Sequence, residues 1–285
     1  MSQRAEDAFR ADIVEVGRRM YARGYVASND GNISIRLDDN TILTTPKSVS
    51  KGFMTTDMMD VVDLDGKKIR GARDASSELL MHLEVYRNRP DVRAVVHAHP
   101  PTATGFAVAG IPLDRAVLAE VITTLGSIPI AEYGTPSTPE LPAAVRKYIK
   151  AHDGLLLANH GALTIGADVY GAYYKMETIE HFAKISLVTR QLGREHLLSR
   201  DEVDRLQKLR GSYGIKAPAP ICADGSEPAG ADQADCQIVE APESRSRLVP
   251  TDPSADLDGE IRLSYRELTA LIEDAVKALL GGQHG

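Results

Sequence analysis

The chain has 285 residues, of which 43% are hydrophobic and 26% are charged, a composition typical of soluble globular proteins that bury a full core. The 40 Asp and Glu residues outnumber the 33 Lys and Arg residues, so the formal net charge is −7 and the chain lacks the basic surface that nucleic acids or anionic membranes require. No apolar run reaches the roughly 20 residues that span a bilayer, and the N-terminal segment lacks the apolar stretch of a secretory signal, so we expect a cytoplasmic protein. The cysteines, Cys222 and Cys236, lie late in the chain, which excludes a disulfide scaffold and predicts two free thiols.

The first third of the chain predicts a helix followed by short strands. Residues 5–21 place apolar side chains on one helical face. Residues 32–37 and 41–45 predict two strands joined by a polar turn, and residues 60–64 predict a third strand. Short connections between these strands favour an antiparallel meander.

Helices and strands then alternate up to residue 214. Predicted helices cover 77–87, 138–151 and 168–192, and predicted strands cover 92–99 and 154–159. Ser199 and Glu202 have the spacing of a capping box, which predicts one more helix. The pattern indicates a mixed α/β domain with a largely antiparallel sheet.

Three histidines lie near the predicted ends of two strands. His97 and His99 alternate along one strand, so their side chains project to the same face. His160 follows an apolar strand and precedes Gly161, where a sharp turn lifts the imidazole out of the sheet end. Taken alone, His97 and His99 can also be ordinary polar residues at the end of a strand, and His160 can be a turn residue without a function. Together, three neutral imidazoles with one open coordination position are typical of a catalytic zinc site.

A serine pair precedes the helix that comes before the histidines. Ser76 and Ser77 at a helix start present hydroxyls and unpaired N–H groups, which together with the helix dipole favour a bound phosphate. Glu78 follows them. Helix capping alone accounts for a glutamate there, whereas its place beside the histidine strand makes it a candidate general base.

Two polar turns add further candidates for phosphate binding. The first contains Gly31 and Asn32, and the second contains Lys47 and Ser48. Gly31 permits close approach of the backbone to a ligand, and the other three side chains can donate hydrogen bonds to phosphate.

Five short motifs occur in the order and spacing of the class II aldolase/adducin head family. They are Gly31-Asn32-Ile33-Ser34, Thr45-Pro46, Ser76-Ser77-Glu78, His97-Ala98-His99-Pro100 and Asn159-His160-Gly161. The chain resembles this family over residues 5–214, and in type it is most similar to the L-fuculose-phosphate aldolases. The resemblance implies an α/β/α sandwich on a central, mainly antiparallel sheet, assembled as a homotetramer with active sites at subunit interfaces.

The resemblance also implies roles for individual residues. His97, His99 and His160 would bind one zinc ion per subunit, and Glu78 would be the acid/base residue. Residues implied or expected to hold the substrate phosphate are Gly31, Asn32, Lys47, Ser48, Ser76 and Ser77. Tyr213 falls on a tail tyrosine that closes over the site. The implied activity is reversible cleavage of a deoxyketose 1-phosphate, such as L-fuculose 1-phosphate, to dihydroxyacetone phosphate and an aldehyde.

Three departures from the family pattern bear on the substrate. Lys47 and Ser48 stand where the family has a small Thr-Gly pair, which adds a cation next to the phosphate. Asp30 adds a negative charge to the first turn, which is unfavourable for phosphate binding unless the carboxylate points away. No tyrosine lies in residues 113–121, where the fuculose-phosphate enzymes have a catalytic one, so the identity of the aldehyde stays open.

Other members of the family offer alternative functions. A sugar-acid phosphate decarboxylase or a thio-sugar phosphate dehydratase keeps the same zinc and glutamate, whereas pentulose-phosphate 4-epimerases usually carry an aspartate at the position of Glu78. An adducin-head-like interaction module has the fold without the histidines. Retention of the three histidines and Glu78 favours an enzyme.

The last 71 residues differ from the rest in composition. Residues 215–260 are rich in Ala, Pro, Asp, Glu, Gly and Ser and predict a mostly disordered acidic linker. Residues 261–285 predict an amphipathic helix with a continuous apolar stripe. This helix either docks back on its own domain or tetramer or, since it resembles encapsulation peptides, binds a shell or cargo partner inside a bacterial microcompartment.

Overall fold

A computed structural model of the chain describes residues 3–215, 219–222, 236–240 and 269. Its centre is an eight-stranded sheet with the strand order β4-β3-β2-β1-β5-β8-β7-β6, in which only the β6–β7 pair is parallel. The strands are β1 (Asn32–Arg36), β2 (Thr41–Thr44), β3 (Asp60–Asp63), β4 (Lys68–Arg70), β5 (Ala94–Ala98), β6 (Ile130–Ala131), β7 (Gly154–Leu157) and β8 (Gly161–Gly166). The predicted mainly antiparallel sheet is confirmed.

Helices cover both faces of this sheet. They are α1 (Gln3–Ala22), α2 (Leu79–Asn88), α3 (Pro101–Ala109), α4 (Ala119–Thr124), α5 (Glu140–Tyr148), α6 (Val169–Gln191) and α7 (Arg200–Ser212). Neighbouring residues of one strand belong to different cores: Val96 packs in the core formed with α1, α3 and α6, and Val95 packs in the core formed with α2 and α5. Side chains alternate across a strand, so this division shows the predicted α/β/α layers. Among the described residues, none of the helices combines the length and the apolar character needed to cross a bilayer.

Most predicted elements are present, with ends shifted by at most three residues. The capping box is confirmed, because Ser199 Oγ accepts a hydrogen bond from the backbone N–H of Glu202 and the Glu202 carboxylate accepts one from Ser199 N at 2.8 Å. Helix α3 was not predicted, because its PTATGFAVA sequence consists largely of small and apolar residues and has little helical periodicity. Strands β4, β6 and β8 and the short helix α4 were also missed.

Two parts of the predicted linker lie on the folded domain, which corrects the expectation of a disordered segment there. Residues 219–222 and 236–240 are joined by a disulfide between Cys222 and Cys236, so the prediction of free thiols is wrong. Ala116 N donates to Ile238 O at 2.8 Å, and Val239 packs in a small core with α4 and α7. A crosslink and a few buried apolar side chains hold these residues in spite of their unfavourable composition.

The chain divides into two compact units, Met1–Glu243 and Ser244–Gly285. The helix predicted over residues 261–285 lies outside the described residues, apart from Thr269.

Candidate active site

Two turns of the sheet bring the three histidines together. His97 lies in β5, and His99 follows the end of that strand. His160 occupies the tight turn between β7 and β8, where Asn159 has a φ of 55°. A Cβ atom on Gly161 would lie 2.5 Å from Ala98 O and 2.6 Å from His99 Cδ2, so only glycine permits this close approach.

The histidine nitrogens form a cluster that fits a divalent metal ion. One ring nitrogen from each of His97, His99 and His160 lies within 4.8 Å of the others, and the Nε2 atoms of His97 and His99 are 3.1 Å apart. His97 Nδ1 lies 2.9 Å from Ala162 O and donates its proton there, which leaves the Nε2 lone pair available to the cluster. His160 Nδ1 is buried without a hydrogen-bond partner in the described part of the chain. Three imidazole donors with room for a further ligand suit zinc and related first-row divalent ions.

Glu78, which directly precedes α2, contacts this histidine cluster. The helix begins at Leu79, two positions later than the predicted start at residue 77. Its Oε1 is 2.9 Å from His160 Nε2, its Oε2 is 3.4 Å from His97 Nε2, and Asn32 Nδ2 donates to Oε2 at 2.8 Å. Burial raises the pKa of Glu78, but attraction to His97 and His160 and the hydrogen bonds from His160 and Asn32 lower that pKa well below its usual range. The carboxylate is therefore ionised near pH 7.

A polar cavity of about 230 Å³ opens in front of Glu78. Predicted site residues that line it are Gly31, Asn32, Lys47, Ser48, Ser76, Ser77, Glu78, His99 and His160. His97 is fully buried beneath the others. Tyr213 is not among the lining residues, since it lies at the end of α7 and is 65% exposed.

Residues 11–187 match the family described as Class II Aldolase and Adducin N-terminal domain. The chain belongs to this family. An L-fuculose phosphate aldolase of Methanococcus maripaludis is 35% identical over 181 residues, which are 64% of this chain and 97% of that protein. A 3-oxo-tetronate 4-phosphate decarboxylase of Pectobacterium atrosepticum is 31% identical over 188 residues, which are 65% of this chain and 86% of that protein. A solved structure of an L-fuculose 1-phosphate aldolase has a TM-score of 0.67 at 27% identity and covers 73% of this chain and 96% of its own.

In this class II aldolase-family site, the structure shows where the carboxylate of Asp30 points. Its Oδ2 lies 3.4 Å from His99 Nδ1, so the carboxylate is turned towards the histidine cluster. The ring of His99 thus has its Nε2 next to His97 and its Nδ1 next to Asp30. A carboxylate beside a ligating imidazole fixes the ring orientation and raises its basicity.

Lys51 is a cavity residue that the sequence did not indicate. It lies in a short 3₁₀ turn after the second polar loop and is 2% exposed. Its Nζ donates to Asn29 O at 3.0 Å and to Val49 O at 2.6 Å. Burial lowers the pKa of Lys51 to about 8, although the charges of Asp30 and Glu78 raise it. No hydrophobic periodicity in the sequence indicates that Lys51, a lysine of a polar loop, is buried.

A buried polar network holds α2, the helix that follows Glu78, against the sheet. Ser34 Oγ of β1 lies 2.7 Å from His82 Nδ1 and 2.8 Å from the hydroxyl of Tyr86. Burial lowers the pKa of His82 to about 4, with a smaller opposing effect of Glu78, so the ring is neutral near pH 7. This network fixes the helix one turn beyond Glu78.

Proposed function

We propose that the protein is a zinc-dependent aldolase that reversibly cleaves a ketose 1-phosphate, such as L-fuculose 1-phosphate or another deoxyketose 1-phosphate, to dihydroxyacetone phosphate and an aldehyde. The observation that carries this proposal is the convergence of three histidine nitrogens and the Glu78 carboxylate on one polar cavity. The L-fuculose phosphate aldolase name of the Methanococcus relative supports it.

His97, His99 and His160 would hold one zinc ion per subunit. A bound divalent ion supplies Lewis-acid polarisation of the substrate's carbonyl oxygen. In the direction of synthesis, Glu78 takes a proton from the hydroxymethyl carbon of dihydroxyacetone phosphate; in cleavage it returns that proton to the same carbon. Asn32 orients the carboxylate through its 2.8 Å hydrogen bond.

The same cavity would hold the phosphate of the substrate. Ser48, Ser76 and Ser77 line it and would donate hydrogen bonds to the phosphate, and Gly31, which also lines it, would let the backbone approach the ligand closely. Binding energy from a phosphate remote from the reacting bond positions the substrate against Glu78.

A sugar-acid phosphate decarboxylase is the second candidate function. It is favoured by the 31% identity to the Pectobacterium relative, which is named a 3-oxo-tetronate 4-phosphate decarboxylase. The same histidines and phosphate-binding residues would serve either reaction. They would also serve the reaction of a thio-sugar phosphate dehydratase. A non-catalytic, adducin-head-like role does not account for three histidines and a glutamate directed at one cavity.

A product assay distinguishes these candidates. Zinc-loaded protein is incubated with a panel of ketose 1-phosphates and with 3-oxo-tetronate 4-phosphate, while dihydroxyacetone phosphate and carbon dioxide are measured in parallel. We expect dihydroxyacetone phosphate from at least one ketose 1-phosphate, without carbon dioxide. Carbon dioxide release from the sugar acid alone would replace the aldolase proposal with the decarboxylase.

Assembly and location are further parts of the proposal. We expect a homotetramer in solution, with Tyr213 closing over the site, and light scattering on the purified protein tests the subunit number. We also expect the protein to act in the cytoplasm, and inside a microcompartment if residues 261–285 bind a shell or cargo partner instead of docking on their own domain or tetramer. Residues 261–285 fused to a fluorescent protein should then join the shell or its cargo, and diffuse fluorescence in a shell-producing host, with the full-length protein also diffuse, would count against targeting.

A further inference from the structure

Lys51 is a buried cation without a carboxylate partner. In residues 3–215, 219–222 and 236–240, no Asp or Glu oxygen lies within 4.0 Å of its Nζ, although the side chain is 2% exposed. Asp30 and Glu78 attract it from a greater distance. Buried charges in proteins are normally paired, because removing an ammonium group from water is costly. The missing negative charge therefore points to a ligand.

The hydrogen bonds of Lys51 leave one donor for that ligand. An ammonium group has three N–H donors. Two of them are used by the carbonyl oxygens of Asn29 and Val49, one from each of the two polar loops. Lys51 also lines the cavity, so the remaining N–H can reach a group bound there.

The residues that line the cavity with Lys51 favour an anion with several oxygen atoms that accept hydrogen bonds. Hydroxyl groups of Ser48, Ser76 and Ser77 line the same cavity and can donate hydrogen bonds. Lys47 also lines it, but its side chain is exposed, where solvent and salt screen its charge. The desolvated charge of Lys51 interacts more strongly with a bound anion than the solvated charge of Lys47 does.

We propose that Lys51, rather than Lys47, supplies the positive charge that binds the phosphate of the substrate and selects phosphorylated over neutral sugars. This inference rests on the proposed function in that it takes the substrate to be a sugar phosphate. Lys51 joins the two loops in front of Glu78 and contributes the charge, while the serine hydroxyls contribute the remaining hydrogen bonds.

Titration with inorganic phosphate tests this assignment without any turnover. Calorimetry at constant ionic strength compares zinc-loaded wild-type protein with the variants Lys51→Gln, Lys51→Met, Lys51→Arg and Lys47→Gln. The matched control is Lys67→Gln, because Lys67 is exposed and does not line the cavity. The amide of Gln can still donate to Asn29 O or Val49 O, so Lys51→Gln removes the charge with little loss of local structure. Zinc content and thermal unfolding are measured for each variant, and Lys51→Met is the second uncharged variant should Lys51→Gln not fold.

Loss of the charge-assisted hydrogen bond should weaken phosphate binding at least about tenfold in Lys51→Gln. We expect Lys51→Arg and the control Lys67→Gln to stay within about threefold of wild type, since each keeps the buried charge. Lys47→Gln should lose less affinity than Lys51→Gln, because the charge of Lys47 is solvated. Equal affinities for wild type and a folded uncharged variant would overturn the proposal, as would a loss in Lys51→Arg equal to that in Lys51→Gln. Failure of the aldolase assay leaves this result intact, because phosphate binding is measured separately from the reaction.

Discussion

Oε1 of Glu78 lies 2.9 Å from Nε2 of His160, although the two residues are 82 positions apart in the sequence. Glu78 precedes α2 on one face of the sheet, and His160 occupies a turn between two strands. Because the two residues meet only in the folded chain, an ionised carboxylate and a candidate metal ligand share one end of the sheet. A proton acceptor next to a candidate Lewis-acid site is an arrangement that suits the proposed carbon–carbon bond cleavage beside a carbonyl.

Replacement of Glu78 by Gln should remove the proton acceptor and leave the metal site in place. We expect kcat to fall by about 10²- to 10⁴-fold, the usual contribution of a positioned general base. Zinc content, measured by mass spectrometry of the purified protein, should stay at about one ion per chain because three histidines remain. A Glu78→Gln protein with wild-type turnover would refute the assigned role.

His97 should be essential for metal binding. It is fully buried in β5, and its Nδ1 bond to Ala162 O directs Nε2 into the cluster. We expect His97→Ala to lose most of its zinc and its turnover, since two histidines remain of the set that holds the ion. His181→Ala is the matched control, because His181 is exposed on α6. Undiminished metal content and turnover in His97→Ala would contradict the ligand assignment.

Asp30 should strengthen metal binding through His99. Its carboxylate lies 3.4 Å from His99 Nδ1, and removing its charge in Asp30→Asn should reduce zinc affinity about 10- to 100-fold, as for other carboxylates beside ligating histidines. Competition with a chelator of known affinity measures this change. Asp39→Asn, on the exposed turn between β1 and β2, provides the control for a general change in surface charge. Equal zinc affinities for Asp30→Asn and wild type would show that the contact has no such effect.

The histidines and Glu78 could be predicted because each signal is local. Alternation along one strand places His97 and His99 on the same face, and a glycine after His160 marks the turn. Asp30 and Lys51 required the structure. The direction of the Asp30 carboxylate depends on His99 across the site, and the burial of Lys51 depends on the packing of its loop against α1.

The linker prediction failed for a related reason. Composition measures how much apolar surface a segment can bury on average, and residues 215–260 contain little. A disulfide between Cys222 and Cys236, with Ile238 buried and Val239 packed beside α4 and α7, is enough to fix short pieces of such a segment. Neither the pairing nor the docking surface is visible in the sequence alone.

Reduction of the disulfide should destabilise the domain. The bond closes a loop with a sequence separation of 14 residues, and the chain-entropy relation gives about 3 kcal/mol for a loop of this length. Unfolding by urea with and without dithiothreitol measures the difference in the free energy of unfolding. The double variant Cys222→Ala/Cys236→Ala should be as unstable as the reduced protein and insensitive to dithiothreitol. Equal stability of the oxidised and reduced proteins would mean that the crosslink contributes nothing.

Buried His82 should make the protein less stable in mild acid. Burial lowers the pKa of His82 from 6.5 to about 4, so between these values the unfolded chain binds a proton that the folded chain does not. The free energy of unfolding rises with pH wherever the unfolded state binds more protons. The contribution of His82 to the free energy of unfolding is therefore complete above pH 6.5. It decreases as the pH falls towards 4, by up to about 3 kcal/mol. Replacing His82 by Gln, which can still hydrogen-bond Ser34, should flatten the pH dependence in that range, and urea unfolding at pH 7.5, 5.5 and 4.5 measures it. An unchanged slope in His82→Gln would assign the acid sensitivity to other groups.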